Sequence, residues 1–167
     1  MAKLPLDLIA AHEDAHHMAA LLMERFHEAM IQLGLPRRAG ELVQWSLIQT
    51  LMRAIAKEIL PHLKKEESNL YPFLVSHVPK LEAVAQYLMG EHEDFRETFS
   101  ELNLQVKNFK TVSGQLEREK LILRIQQGGT YLFFLFRNHI RAEREGLFRV
   151  VEETLKPEEK AEVLSLL

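Results

Sequence analysis

The chain has 167 residues, 47% apolar and 27% charged, which is ample material for one buried core, so a single domain over residues 1–167 is expected. Its formal charge is only −3 with the two signs interspersed, leaving no basic stripe for nucleic acid or for an anionic membrane surface. With no cysteine, disulfides, thiolate zinc sites, iron–sulfur clusters and thiol catalysis are excluded, and any metal must be held by nitrogen and oxygen.

In MAKLPLDLIAAHEDAHH the apolar run is broken by Asp7 and then by a cluster of histidines. That pattern has no hydrophobic heart for a signal peptide, and a cytoplasmic location is the expectation. The first predicted helix carries Leu8, Ile9, Leu22, Phe26 and Met30 at three- and four-residue steps and stops at Gly34-Leu35-Pro36. A second begins near Gly40, carries Leu47, Leu51, Ile55 and Ile59, is expected to bend at Pro61 and ends around Val78-Pro79. A third runs from about Leu81 to Phe109, before the turn Thr111-Val112-Ser113-Gly114, and a fourth from about Gln115 to Leu155. Lys156-Pro157-Glu158-Glu159 starts a short C-terminal helix, with proline in the first turn and acids favoured by the helix dipole. Four long segments joined by short turns predict an all-α, antiparallel up-down four-helix bundle with a short C-terminal helix. The run TYLFFLF, Thr130 to Phe136, is too short for a membrane, which takes about 20 residues. It should be buried or paired, as core with a homodimer contact or else as a shield that dries a site near His139, and its aromatic part, Tyr131 to Phe136, is the patch to examine first for a dimer contact.

The second and fourth helices each carry a His-x-x-x-Glu pair, His62 with Glu66 and His139 with Glu143. Residues four apart share one helix face, so each pair presents an imidazole and a carboxylate in one direction. Around them HLKKEESNLYPFLV aligns with HIRAEREGLFRVVE, and LIAAHEDA aligns with LMGEHEDF, setting His12 on His92. The separations agree: 50 residues from His12 to His62, 47 from His92 to His139. Two related helical hairpins follow, each giving a histidine from its first helix and a His-x-x-x-Glu pair from its second. Counted from the shared loop end, His12, His62, His92 and His139 stand 21–24 residues along their helices, roughly 30–36 Å at 1.5 Å per residue, so all four fall at one level. His16, one turn after His12, shares its face; the hairpin alignment favours His12, and the level count allows either. Four imidazoles and two carboxylates at a bundle centre require compensation, and six such donors suit two cations with carboxylates able to bridge. Glu67, Glu145, Glu93 and Asp94 are expected on or near solvated faces, at best orienting an imidazole N–H. His17, His27 and His77 fall off the pattern and read as surface or helix-end residues. Tyr71, Tyr87 and Tyr131 read as core or half-buried side chains able to pack near the site.

At these residues the sequence resembles the hemerythrin-like, or HHE cation-binding, family, over nearly the whole chain: LIAAHEDA, HLKKEESNLYP, MGEHEDF and HIRAEREGLF. The resemblance implies a non-haem di-iron centre of two iron ions, with manganese or zinc as alternatives. His12 or His16, His62, His92 and His139 would then be terminal ligands, and Glu66 and Glu143 would bridge. Oxygen-carrying members pair histidines four apart on the third helix, whereas here Arg96 follows His92 at that step. The set is more similar to the branch with four histidines and two glutamates, which includes di-iron proteins concerned with nitric oxide and repair of iron centres. The expectation is a protein that binds or senses O2, NO or peroxide rather than an enzyme. The alternative is a di-iron enzyme or repair protein acting on NO or peroxide, or supplying iron.

Overall fold

The computed structural model describes residues 7–33 and 41–167. The expected Gly34-Leu35-Pro36 turn, the start at Gly40 and the residues before Asp7 lie outside the described residues. Helix α1 spans Leu8–Leu33 and α2 spans Glu41–Lys65. Helix α2 continues through Pro61 into a π-helical turn, Glu66–Leu70, and then α3, Tyr71–His77. A 3-10 turn, Pro79–Leu81, leads into α4, Glu82–Asn108, and a second, Phe109–Thr111, leads toward α5, Gln115–Ala142. A second π-helical turn, Glu143–Phe148, is followed by α6, Arg149–Thr154, and by α7, Pro157–Leu166. The protein is thus an all-α bundle in which α1 packs along α2 and α5, α4 packs along α5, and α2 and α4 close the ring with a lighter contact. Among the described residues, no helix is long and apolar enough to cross a membrane.

The apolar side chains fall into two clusters. One fills the bundle from Met23, Phe26 and Met30 of α1 through Ile48, Ile55 and Ile59 of α2 to Phe95, Phe99, Ile125 and Phe136 of α4 and α5. The other gathers Leu8, Leu70, Tyr71, Leu74, Leu88, Leu147, Phe148 and Val151 with Val163 of α7. Ties at this second end are polar as well: Glu152 accepts from the Leu8 backbone N–H at 3.0 Å and from Lys160 at 2.6 Å. Helix α7 starts with its Lys156 backbone N–H donating to Glu159 at 2.8 Å, the arrangement that satisfies an orphan donor of a first turn.

Three expectations need correction. Leu47 is 37% exposed, because the buried stripe of α2 runs through Trp45, Ile48, Leu51, Met52 and Ile55 instead. The aromatic run on α5 is not buried all round: Leu132 and Phe136 are, while Tyr131 and Phe134 are exposed, as helical periodicity demands of a helix with neighbours on one side only. His27, expected at the surface, is half-buried and stacks on Phe133 with ring centroids 4.3 Å apart.

Two adjacent glycines in α5 give a paired test of packing. A Cβ on Gly129 would meet Met30 Cγ at 2.5 Å and Sδ at 2.7 Å, whereas one on Gly128 would meet only Leu102 Cδ1 at an ordinary 3.6 Å. Gly128→Ala is expected to stabilise by up to ~1 kcal/mol through helix propensity. Gly129→Ala should destabilise by about 1–3 kcal/mol, because Met30 is fully buried and cannot yield without displacing its neighbours. Urea midpoints of the two variants check the opposite signs.

Candidate metal centre

Between the two apolar clusters lies a polar layer. Among the described residues, the buried histidines and carboxylates are His12, His16, Glu66, His92, His139 and Glu143. His62 completes the layer with its side chain 18% exposed. All seven side chains proposed from the sequence therefore meet, drawn from α1, α2, α4, α5 and the two π-turns. They form three overlapping groups, His12–His16–Glu143, His16–His62–Glu66 and Glu66–His92–His139, with ligand atoms within 4.8 Å in each.

The imidazoles form two opposed pairs: His16 Nε2 lies 2.9 Å from His62 Nε2, and His92 Nε2 lies 3.0 Å from His139 Nε2. Their other nitrogens are largely committed. His16 Nδ1 donates to the His12 carbonyl at 2.9 Å, His92 Nδ1 to Glu67 at 3.0 Å and His139 Nδ1 to Glu91 at 3.1 Å. This fixes the Nδ1–H tautomer in each and turns the Nε2 lone pairs inward. Two facing lone pairs repel unless a proton or a cation stands between them. Glu66 Oε1 is 2.9 Å from His62 Nε2 and 3.3 Å from His16 Nε2, and Oε2 is 3.4 Å from His92 Nε2. Both oxygens are fully buried and neither makes a hydrogen bond of good geometry; they face close imidazole nitrogens instead, the disposition of a carboxylate shared between two cations. Glu143 is placed differently: Oε2 accepts from His12 Nε2 at 3.0 Å and lies 3.2 Å from His16, while Oε1 accepts from the Tyr71 hydroxyl at 2.7 Å.

Protonation follows the same division. Burial opposes charge on His16, but its contacts with Glu143 and Glu66 outweigh it and push its pKa up to about 10. His139, equally opposed by burial, is raised by Glu91, Glu143 and Glu66. Burial lowers His92, as does the charge on His139, and burial also lowers His12. In the His92–His139 pair, His139 is thus the more basic ring. Burial pushes the Glu143 carboxyl up, yet His12 and His16 hold it well below the usual range. Glu66 is lowered too: burial and Glu143 oppose its ionisation, and His16 and His62 overcome them. Two buried carboxylates balanced by imidazolium protons form a charge set that cations can take over.

Both motif glutamates open a π-turn, an irregularity that counting in steps of four does not reveal. The wider i to i+5 turn brings residues five apart toward one side, so Tyr71 follows Glu66 and Phe148 follows Glu143 back into the layer. Pro72, without an N–H and with a ring that clashes with a carbonyl one turn back, favours the wider turn in the first repeat. In the second repeat Gly146 lies inside the turn, where a Cβ would come within 3.1 Å of Val84 Cγ1 on α4. Tyr71 reaches Glu143, and burial beside that carboxylate keeps its hydroxyl protonated and donating. Phe148 instead packs on the His12 ring at 4.3 Å.

Around the layer, the expectations for Glu93, Asp94 and Glu145 hold: all three are exposed. Glu67 is half-buried and holds His92 Nδ1, with Arg96 donating to the same oxygen at 2.7 Å. Arg96, at the step where a second histidine of α4 would stand, thus serves Glu67. Glu91 is the residue sequence reasoning missed. Its carboxylate takes the His139 Nδ1–H and, on its other oxygen, the exposed Tyr87 hydroxyl at 2.7 Å. Burial opposes its ionisation, but His139 and Tyr87 hold its pKa below the usual range. The pairing joins α4 to α5, so no local spacing announces it. His16 makes with His62 the contact that His92 makes with His139, one turn away from the register that the hairpin alignment favours, while His12 sits on Glu143. His17 and His77 are exposed and Tyr131 faces outward, away from the layer's buried side chains.

Comparison with curated proteins gives no match. Against protein families, residues 7–151 match the hemerythrin HHE cation binding domain, a stretch that includes every side chain of the polar layer. The chain belongs to the hemerythrin HHE cation-binding family.

Proposed function

We propose that this is a non-haem di-iron protein of hemerythrin type that binds or senses a small ligand, O2, NO or peroxide, at a dinuclear centre in the polar layer. One observation carries the reading: two inward imidazole pairs flank Glu66, whose two buried oxygens accept no hydrogen bond. In this reading His16 and His62 would hold one cation and His92 and His139 the other, with the Glu66 and Glu143 carboxylates as the oxygen donors. The all-nitrogen-and-oxygen donor set fits iron, and it also admits manganese or zinc. A bound redox-active metal would supply the open coordination position for the small ligand. Tyr71 and His12 keep Glu143 oriented, and the two apolar clusters exclude bulk water.

Of the two α1 histidines, His16 is the better ligand. A ligating imidazole normally donates its other N–H. His16 does so through Nδ1, whereas His12 Nδ1 is buried without a partner and its Nε2 is spent on Glu143. His12 is therefore read as a donor that steadies Glu143. We also take α7 as part of the same domain, since Val163 is fully buried beside Leu8 and Phe148 although it lies beyond the matched stretch.

Anaerobic loading with iron followed by O2 or NO is expected to give a new visible absorption band. An unchanged spectrum with both gases, in protein shown to hold iron, would overturn the ligand-binding reading. Sustained turnover with an electron donor would move the assignment to an enzyme.

A further inference from the structure

We propose that Glu67 and Glu91 make the two cation seats unequal, so that the His92–His139 seat binds more tightly than the His16–His62 seat. The inference rests on the dinuclear reading above and concerns this chain's own second layer of side chains.

The imidazoles of the two seats differ in what stands behind them. His139 Nδ1 donates to the Glu91 carboxylate at 3.1 Å and His92 Nδ1 to the Glu67 carboxylate at 3.0 Å. An anionic acceptor draws the Nδ1 proton toward itself and makes the opposite nitrogen a stronger donor to a cation. His16 Nδ1 instead meets the neutral carbonyl of His12 at 2.9 Å, which gives much less of this effect. Exposure divides the seats in the same sense. The His92 and His139 side chains are 1% and 3% exposed; in the other seat His16 is 2% exposed but His62 is 18% exposed, so that seat has one flank toward solvent. The third imidazole near the looser seat does not reverse the order, because His12 Nε2 is engaged with Glu143 Oε2.

The two carboxylates are not equal either. Glu67 shares one oxygen between His92 Nδ1 and the Arg96 guanidinium at 2.7 Å, so part of its charge is already answered. Glu91 is shared only with the neutral Tyr87 hydroxyl, on its other oxygen. Glu91 is thus the stronger positioning residue of the pair.

The test is a Zn2+ titration of the full-length, metal-stripped chain by calorimetry against a competing chelator, repeated with Co2+, whose visible bands report the coordination of each ion as it enters. Two phases of different affinity are expected. His62→Ala should abolish the weaker phase and keep the tighter one. Glu91→Gln, whose amide oxygen still accepts the Nδ1–H, removes only the charge and should weaken the tighter phase by about 10–100-fold, leaving the weaker one unchanged. Glu67→Gln should act in the same direction with a smaller factor. Tyr87→Phe, at a residue 61% exposed and therefore safe for folding, should leave the Glu91 charge undivided and tighten the same phase, which a merely structural role would not do. Exposed Glu93→Gln is the charge control, expected to change neither phase. Two phases of equal affinity in the wild type would overturn the inference, as would loss through Glu91→Gln of the phase that His62→Ala abolishes. Failure of the wild-type chain to take up Zn2+, Co2+ or iron would instead overturn the dinuclear reading itself.

Discussion

Glu66→Gln is expected to leave one cation or none per chain where the proposed dinuclear centre would hold two, with the residual affinity lower by at least ~100-fold, beyond the range seen when only an outer partner is lost. The magnitude follows from the position of this one side chain. Its Oε1 faces the His16–His62 pair and its Oε2 faces the His92–His139 pair, and neither oxygen is spent on a hydrogen bond. Glutamine preserves the shape but offers one neutral oxygen and an N–H2 group that points its hydrogens at one imidazole pair. One seat then loses a ligand and gains a repulsive donor, and both lose the negative charge. Glu143→Gln should cost less, because Glu143 already gives Oε1 to Tyr71 and shares Oε2 with His12. Metal analysis after dialysis against iron or zinc, beside a circular dichroism check of helicity, measures both. Equal retention of two ions by Glu66→Gln would remove Glu66 from the centre.

Cation loading should raise the melting temperature by about 5–11 °C per occupied seat when free metal is 100-fold above the dissociation constant. That is ~2.7 kcal/mol of linkage for each site, converted at about 2–4 °C per kcal/mol for a chain of this size. The pH dependence has a definite sign. His16 has its pKa raised to about 10, so in the stripped protein its favourable contacts contribute fully below the ordinary value of 6.5 and are lost as pH rises toward 10. Glu66 and Glu143 have lowered pKa values, so their contribution is present above the ordinary 4.5 and is lost as pH falls below it. The stripped protein is therefore most stable between these limits. A cation at the proposed seat would displace the His16 proton, so its apparent affinity should rise with pH by up to about tenfold per unit for each proton released. The gap in melting temperature between loaded and stripped protein should accordingly widen from pH 6 to pH 8 at fixed Zn2+. A gap that stays constant or narrows would show that no imidazole proton is displaced.

The bundle and the seven inward side chains were legible in the sequence because both depend on local periodicity. Apolar residues at three- and four-residue steps define the helices, and two His-x-x-x-Glu pairs at matched depths define the level where they meet. Features that depend on contacts between helices were not legible. Glu91 finds His139 across α4 and α5, and nothing in the sequence around either announces the other. The preference for His16 over His12 proposed above rests on which ring has an acceptor for its second nitrogen, a contrast that shows only in the His12 carbonyl and the unpartnered His12 Nδ1. The π-turns escaped because the spacing rule assumed 3.6 residues per turn on both sides of each glutamate. Leu47 failed for a simpler reason: Trp45, Ile48 and Ile55 set a stripe turned slightly from the one that Leu47 extends.

Tyr71 and Phe148 occupy corresponding steps of the two repeats, each five residues past its glutamate, yet only one bears an oxygen. The twofold likeness between the hairpins is therefore broken at the level of a single atom. Glu143 and His12 thus have a proton donor on one flank and bare hydrocarbon on the other, which gives this part of the polar layer a chemical left and right.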